Sequence, residues 1–138
     1  MKYWVVDTNV VVSGLLSPRG HRAQILDAIL EGRVGLVYDP RILAEYRDVL
    51  CRKRLKLNPI HVISFIEGLR AQMLVLPVRI EDAWPDPDDL MFVEAALAVP
   101  DRTIVTGNLA HFPSKILRGV TAMTPAQAAT EASRGLAS

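Results

Sequence analysis

Strand-like, mainly apolar runs in this chain are short: Tyr3–Val6, which is apolar throughout, and Val34–Tyr38, Leu74–Val78, Thr103–Thr106 and Gly119–Met123. A run that brief, with no polar alternation, reads as a strand covered on both faces, which is the pattern of a parallel sheet. Helical patterns lie between the runs, near His21–Glu31, Pro40–Lys56, Ile60–Gln72 and Asp88–Val99. Strand and helix in alternation predict an α/β fold of three layers, α/β/α, around a central parallel sheet. With 138 residues, 50% of them apolar, the chain is long enough for one domain with its own core. The domain is expected over residues 1–125, followed by an Ala-rich tail, 126–138, that is weakly helical or disordered.

Bulk charge excludes some partners. Sixteen Lys and Arg against fifteen Asp and Glu leave a formal charge of +1, so a polyanion must be held by a local patch or through metal ions. A single cysteine, Cys51, allows no internal disulfide and suits a reducing compartment. The start has no signal-peptide pattern, and no apolar stretch is long enough to span a bilayer. The expected location is the cytoplasm, with no membrane partner.

Three places carry candidate chemistry. The first apolar run ends in Asp7, and in open parallel sheets ligands bind beyond the carboxyl ends of strands. Asp39-Pro40 is an N-cap followed by proline at the first helical position. The stripe Ile42, Leu43, Tyr46, Val49 and Leu50 then defines a buried helix face, with Glu45 at its edge. In Trp84-Pro-Asp86-Pro-Asp88-Asp89, Asp86 is placed to cap a helix, and Asp89 stands where an acid completes a capping box. Capping needs at most two of these acids. Three carboxylates within one turn repel one another, which makes a divalent cation a natural partner. Finally, Ile104-Val-Thr106-Gly-Asn108 is a strand, a glycine turn and a polar side chain at the strand end.

These segments resemble the PIN-domain family, in particular the small bacterial VapC-like toxins. The resembling pieces are Val-Val-Asp7-Thr-Asn9-Val-Val-Val-Ser13-Gly, Ile42-Leu-Ala-Glu45-Tyr, Asp86-Pro-Asp-Asp89-Leu-Met-Phe-Val-Glu-Ala-Ala96 and Ile104-Val-Thr-Gly-Asn108-Leu-Ala-His111-Phe-Pro113, in family order from Met1 to about Pro113. The resemblance implies a ribonuclease dependent on Mg²⁺ or Mn²⁺, acting as the toxin of a type II toxin–antitoxin pair. It also implies an RNA substrate, an antitoxin protein as partner and a homodimer. Asp7, Glu45 and Asp89 match the family's first three acids. Asp7 and Asp89 are the implied direct metal ligands, and Glu45 binds metal or orients the attacking water. Asn108 stands where many members carry a fourth acid and is assigned to holding a water on the metal. Thr106, Asn9 and Ser13 match supporting polar positions, and Asp86 and Asp88 stand close by as partial replacements for the missing acid.

Hard carboxylate oxygens suit Mg²⁺ or Mn²⁺, whereas His21, His61 and His111 are scattered and read as structural. Phosphate-contact candidates are Arg47, Arg52, Lys53 and Arg54 on and after the Glu45 helix, with Arg19 and Arg22 after the first loop. A haloacid-dehalogenase-type phosphatase requires a second Asp at position 9, where Asn9 stands, and a receiver domain requires a lysine after its late strand, which is missing here. The neutral Asn108 motivates the alternative of a catalytically weak PIN module that binds RNA or a protein partner.

Overall fold

The computed structural model describes residues 1–81, 84–113 and 119–137. Ser138, the end of the expected tail, lies outside the described residues. The strands are β1 (Lys2–Val6), β2 (Val34–Tyr38), β3 (Met73–Leu74), β4 (Thr103–Val105) and β5 (Thr121–Met123), and the helices are α1 (Thr8–Leu16), α2 (His21–Leu30), α3 (Pro40–Leu50), α4 (Pro59–Gly68), α5 (Pro87–Ala96) and α6 (Pro125–Ala137). The strands form one sheet in the order β3-β2-β1-β4-β5, and every pairing is parallel. The expected three-layer α/β/α arrangement is the one observed.

β1 is central because it is apolar from Trp4 to Val6 and no exposed edge would tolerate it; Trp4, Val5 and Val6 are at most 2% exposed. It pairs with β2 on one side and β4 on the other. The chain moves across the sheet in one direction from β1 to β3, then jumps over β2 and β1 to reach β4. Right-handed crossovers in opposite directions put α2 and α5 on opposite faces. They also make the gap between the carboxyl ends of β1 and β4 the topological switch point, where a crevice opens. Asp7 and Thr106 are the first residues beyond those two strands, and the Asp7 amide still donates to the Val105 carbonyl at 2.9 Å.

The boundaries have local causes. α3 starts as read, with the Asp39 carboxylate accepting from the Arg41 and Ile42 amides at 2.8 and 3.1 Å and Pro40 at the first position. It stops at Leu50, not Lys56, because the next stripe position, Arg54, is charged. A short 3-10 turn, Lys53–Leu55, follows. α4 uses the same device one residue earlier than expected, the Asn58 side chain accepting from the Ile60 amide ahead of Pro59, and gives way at Gly68 to the 3-10 turn Leu69–Ala71. α5 is capped by Asp86 and ends at Ala96, short of Val99 and ahead of Pro100. The expected strand Leu74–Val78 shrinks to Met73–Leu74: the Val75 amide makes one more bond, to the Tyr38 carbonyl, and Pro77 has no N–H with which to continue.

One helix was not expected, and the tail, expected to be weakly helical or disordered, takes the first of those forms. Thr8–Leu16, in which no helix is legible, is α1. The Ala-rich tail forms α6, with Ala128 and Ala132 buried in the core and the helix packed on α2. No helix among the described residues is long and apolar enough to cross a membrane.

Candidate active site

Asp7 sits at the N-cap position of α1, yet its side chain makes no capping bond. The carboxylate turns toward β4, where the Thr106 hydroxyl donates to Asp7 Oδ2 at 2.8 Å. The Thr106 oxygen in turn accepts from the Asn108 amide at 3.0 Å. Asp7 is 6% exposed. Burial raises its pKa above the usual carboxylate range, and the Thr106 hydrogen bond and the facing amides of Asn9 and Thr8 oppose that rise.

α3 carries Glu45 to the same place. The buried stripe of Ile42, Tyr46 and Leu50 fixes the helix, and the Tyr46 hydroxyl donates to the carbonyl of Val6, one residue before Asp7. Burial, followed by the charges of Asp7, Glu45 and Asp39, pushes the Tyr46 phenol well above its ordinary pKa, so it remains a donor. Glu45 is half-buried, and its Oε2 accepts from the Thr8 hydroxyl at 3.1 Å.

Asp89 arrives from the first turn of α5. Asp86 does the capping, accepting from the Asp88 amide at 2.9 Å, which leaves the Asp89 carboxylate free to turn inward. Asp89 is 9% exposed and its Oδ2 is buried without a hydrogen bond. His111 Nδ1 lies 3.3 Å from that oxygen. Burial raises the Asp89 pKa to about 6, the negative charges of Asp86, Asp7 and Asp88 push the same way, and His111 opposes them.

These residues share a cleft of about 290 Å³ lined by Asp7, Thr8, Asn9, Glu45, Arg52, Arg54, Asp88, Asp89 and His111, with Val12, Val49, Leu55 and Phe92 as its apolar wall. It brings the three acids together with two of the six basic candidates. Arg52 also pairs with Asp48 at 2.8 Å. Ser13, Asp86, Arg47, Lys53, Arg19 and Arg22 are not part of that lining. Arg22 lies against the β4 turn, where a Cβ on Gly107 would come within 2.7 Å of its Nη2. Asn108 is exposed and outside the lining; it meets the site through its backbone amide. Thr8 and His111 were not legible as site residues. Thr8 hides as the first residue of an unread helix. His111 enters because the 3-10 turn Leu109–His111 curls the chain back after β4.

Among the described residues, no three His, Cys, Asp or Glu side chains form a ready-made metal cage. The donors nevertheless fit a divalent ion that keeps part of its water shell, as Mg²⁺ does when one or two carboxylates hold it. The buried, unbonded Asp89 Oδ2 supports that fit, since a charged oxygen left without a partner is destabilising by at least 1–3 kcal/mol, on the order of a lost hydrogen bond.

The raised Asp89 pKa has a consequence for stability. The folded protein holds this proton more tightly than the unfolded chain, so metal-free stability should fall as pH rises from 3.8 to about 6 and then level off. Asp89→Asn should remove that slope, worth up to about 3 kcal/mol across the window. Urea unfolding of both chelated proteins between pH 4 and 7 measures the difference; a gap between them that does not change with pH would contradict the assignment.

A model of the PIN domain family matches residues 3–110 of the chain. No curated protein matches it, and no solved structure does.

Proposed function

The chain belongs to the PIN-domain family, whose members are nuclease-type hydrolases of phosphodiester bonds, and we propose that it is a divalent-metal-dependent ribonuclease, the toxin of a type II toxin–antitoxin pair. The observation that carries this reading is the meeting of Asp7, Glu45 and Asp89 in one cleft at the switch point of the sheet. On this reading the protein works in the cytoplasm on RNA, as a homodimer, and is restrained by an antitoxin protein. An apolar groove of about 560 Å³ between α1, α2 and α4, lined by Leu16, Leu26, Leu30, Leu57 and Phe65, offers surface for such a protein partner.

Asp7 and Asp89 would hold Mg²⁺ or Mn²⁺. When bound, the ion supplies Lewis acidity toward the phosphoryl oxygen and makes a water more acidic. Thr106 fixes Asp7 by donating to Oδ2 and so orients the carboxylate that would hold the ion. Glu45 holds the attacking water and takes its proton at Oε1, the oxygen that Thr8 does not engage. Arg52 and Arg54 line the cleft and hold the phosphates on either side of the scissile bond without reading sequence. The low-dielectric wall of Val12, Val49, Leu55 and Phe92 strengthens each of these charges.

Purified protein should cleave single-stranded RNA with Mg²⁺ or Mn²⁺ and stop on addition of chelator, while its circular dichroism stays unchanged. Neutral Asn108 at an exposed position favours the second reading, a weak module that binds RNA or a protein. RNA binding with no cleavage in either metal would select it.

A further inference from the structure

We infer that His111 Nδ1 is a direct metal donor beside Asp89, which turns an all-oxygen site into a mixed oxygen–nitrogen site that prefers Mn²⁺ to Mg²⁺. The inference rests on the metal-dependent reading above and adds to it both a ligand and a choice of ion. Its basis is geometric. The Asp89 Oδ2 atom is buried and makes no hydrogen bond, although a histidine nitrogen stands 3.3 Å away. Two donors at that separation, with metal bonds of about 2.1–2.2 Å, subtend an angle of about 100° at an ion. That angle lies between the octahedral and tetrahedral values, so the pair suits adjacent positions in one coordination sphere.

His111 is held where such a ligand must be. Its amide donates to the Asn108 carbonyl at 3.1 Å, and the next residue, Phe112, is buried to 2% exposure and anchors the turn in the core. The imidazole itself is about half exposed, at 49%, so an ion can reach it from solvent. His111 also lines the cleft while Asn108 does not, and it thus occupies the position from which a donor on the β4 loop can meet Asp7 and Asp89. Imidazole suits first-row transition ions, whereas Mg²⁺ takes oxygen.

The test is pulsed electron paramagnetic resonance of Mn²⁺ bound to the full chain, with calorimetric titration of Mn²⁺ and Mg²⁺. The spectrum should show imidazole nitrogen coupling in the wild type and lose it in His111→Ala. That variant should bind Mn²⁺ about 10-fold or more weakly and Mg²⁺ within about 3-fold of the wild type, with circular dichroism unchanged. Asp89→Asn should lose the ion altogether. Mn²⁺ that binds through Asp89 with no nitrogen coupling, or with coupling that survives in His111→Ala, overturns the inference and leaves the ribonuclease reading standing. Nitrogen-coupled Mn²⁺ in a protein that cleaves no RNA keeps the ligand and removes the activity. A protein that binds no Mn²⁺ overturns both.

Discussion

Asp7→Asn is expected to lower RNA cleavage by about 10³-fold or more, because it removes the charge on which the other groups of the site converge. The contribution of a correctly placed divalent ion to transition-state charge is several kcal/mol, and about 4 kcal/mol corresponds to 10³ in rate. The substitution is close to isosteric, and Thr106 can still donate to the amide oxygen, so the fold should persist. It should even gain slightly in the absence of metal, since burial already disfavours the Asp7 charge. Asn108→Ala provides the contrast. The bond from Asn108 to Thr106 comes from the backbone amide, which alanine retains, and the side chain is exposed, so cleavage should fall by less than about tenfold, below the range of a lost supporting contact. Single-turnover cleavage of one RNA in Mn²⁺, beside thermal melts, checks both. A rate within tenfold of wild type for Asp7→Asn would remove Asp7 from the centre of the site. Equal damage from the two variants would mean that the Asn108 side chain does more than its position implies.

What was legible in the sequence follows from what is local. The mainly apolar runs gave β1, β2 and β4, because a strand covered on both faces leaves no polar alternation to misread. Asp39-Pro40 and Asp86-Pro87 located two helix starts, because cap and proline act through their own backbone. α1 escaped because Val10, Val11 and Val12 favour strands when isolated. What makes them helical is packing: Gly14 lies so close to α2 that a Cβ there would meet Leu26 Cδ1 at 2.6 Å. α6 was legible only as a weakly helical or disordered tail, for a related reason. Its alanines are small enough to approach α2 closely, and composition alone does not reveal a partner helix. In the site, the acids at element ends were readable because carboxylates are costly there without a use. Thr8 and His111 were not, since each gains its meaning from a residue more than twenty positions away.

Glu94→Ala should be the most destabilising single change outside the core, costing about 3 kcal/mol and lowering the melting temperature by roughly 10 °C. Glu94 is 2% exposed. Its Oε1 accepts from Arg41 Nη1 at 2.7 Å and its Oε2 from the Ile80 amide at 2.7 Å. Arg41 also donates from Nε and Nη2 to Asp39, at 3.2 and 2.7 Å, and Asp39 is fully buried. Removal of Glu94 leaves the Arg41 Nη1 donor and the Ile80 amide without an acceptor, while Asp39 still holds Arg41 through Nε and Nη2, so the cost is that of two orphaned donors in a buried network rather than of an unpaired charge. The Arg41 side chain is 37% exposed, so water screens its outer face and the loss falls at the low end of the buried range. Glu94→Gln, which keeps an acceptor for the Ile80 amide, should lose about half as much. The network also sets a distance that matters for chemistry. Arg41 lies one turn before Glu45 on α3, and Glu94 lies little more than one turn after Asp89 on α5, so the ion pair locks together the two helices that carry these acids. Cleavage by Glu94→Ala should therefore fall at temperatures where the protein is still folded, with Glu94→Gln intermediate. Thermal and urea unfolding of both variants and of Arg41→Ala, combined as a double-mutant cycle, gives the coupling energy. Coupling below about 0.5 kcal/mol would show that Arg41 and Glu94 behave as an exposed surface pair, and the positioning role would then pass to the packing of Ile42 and Phe92 alone.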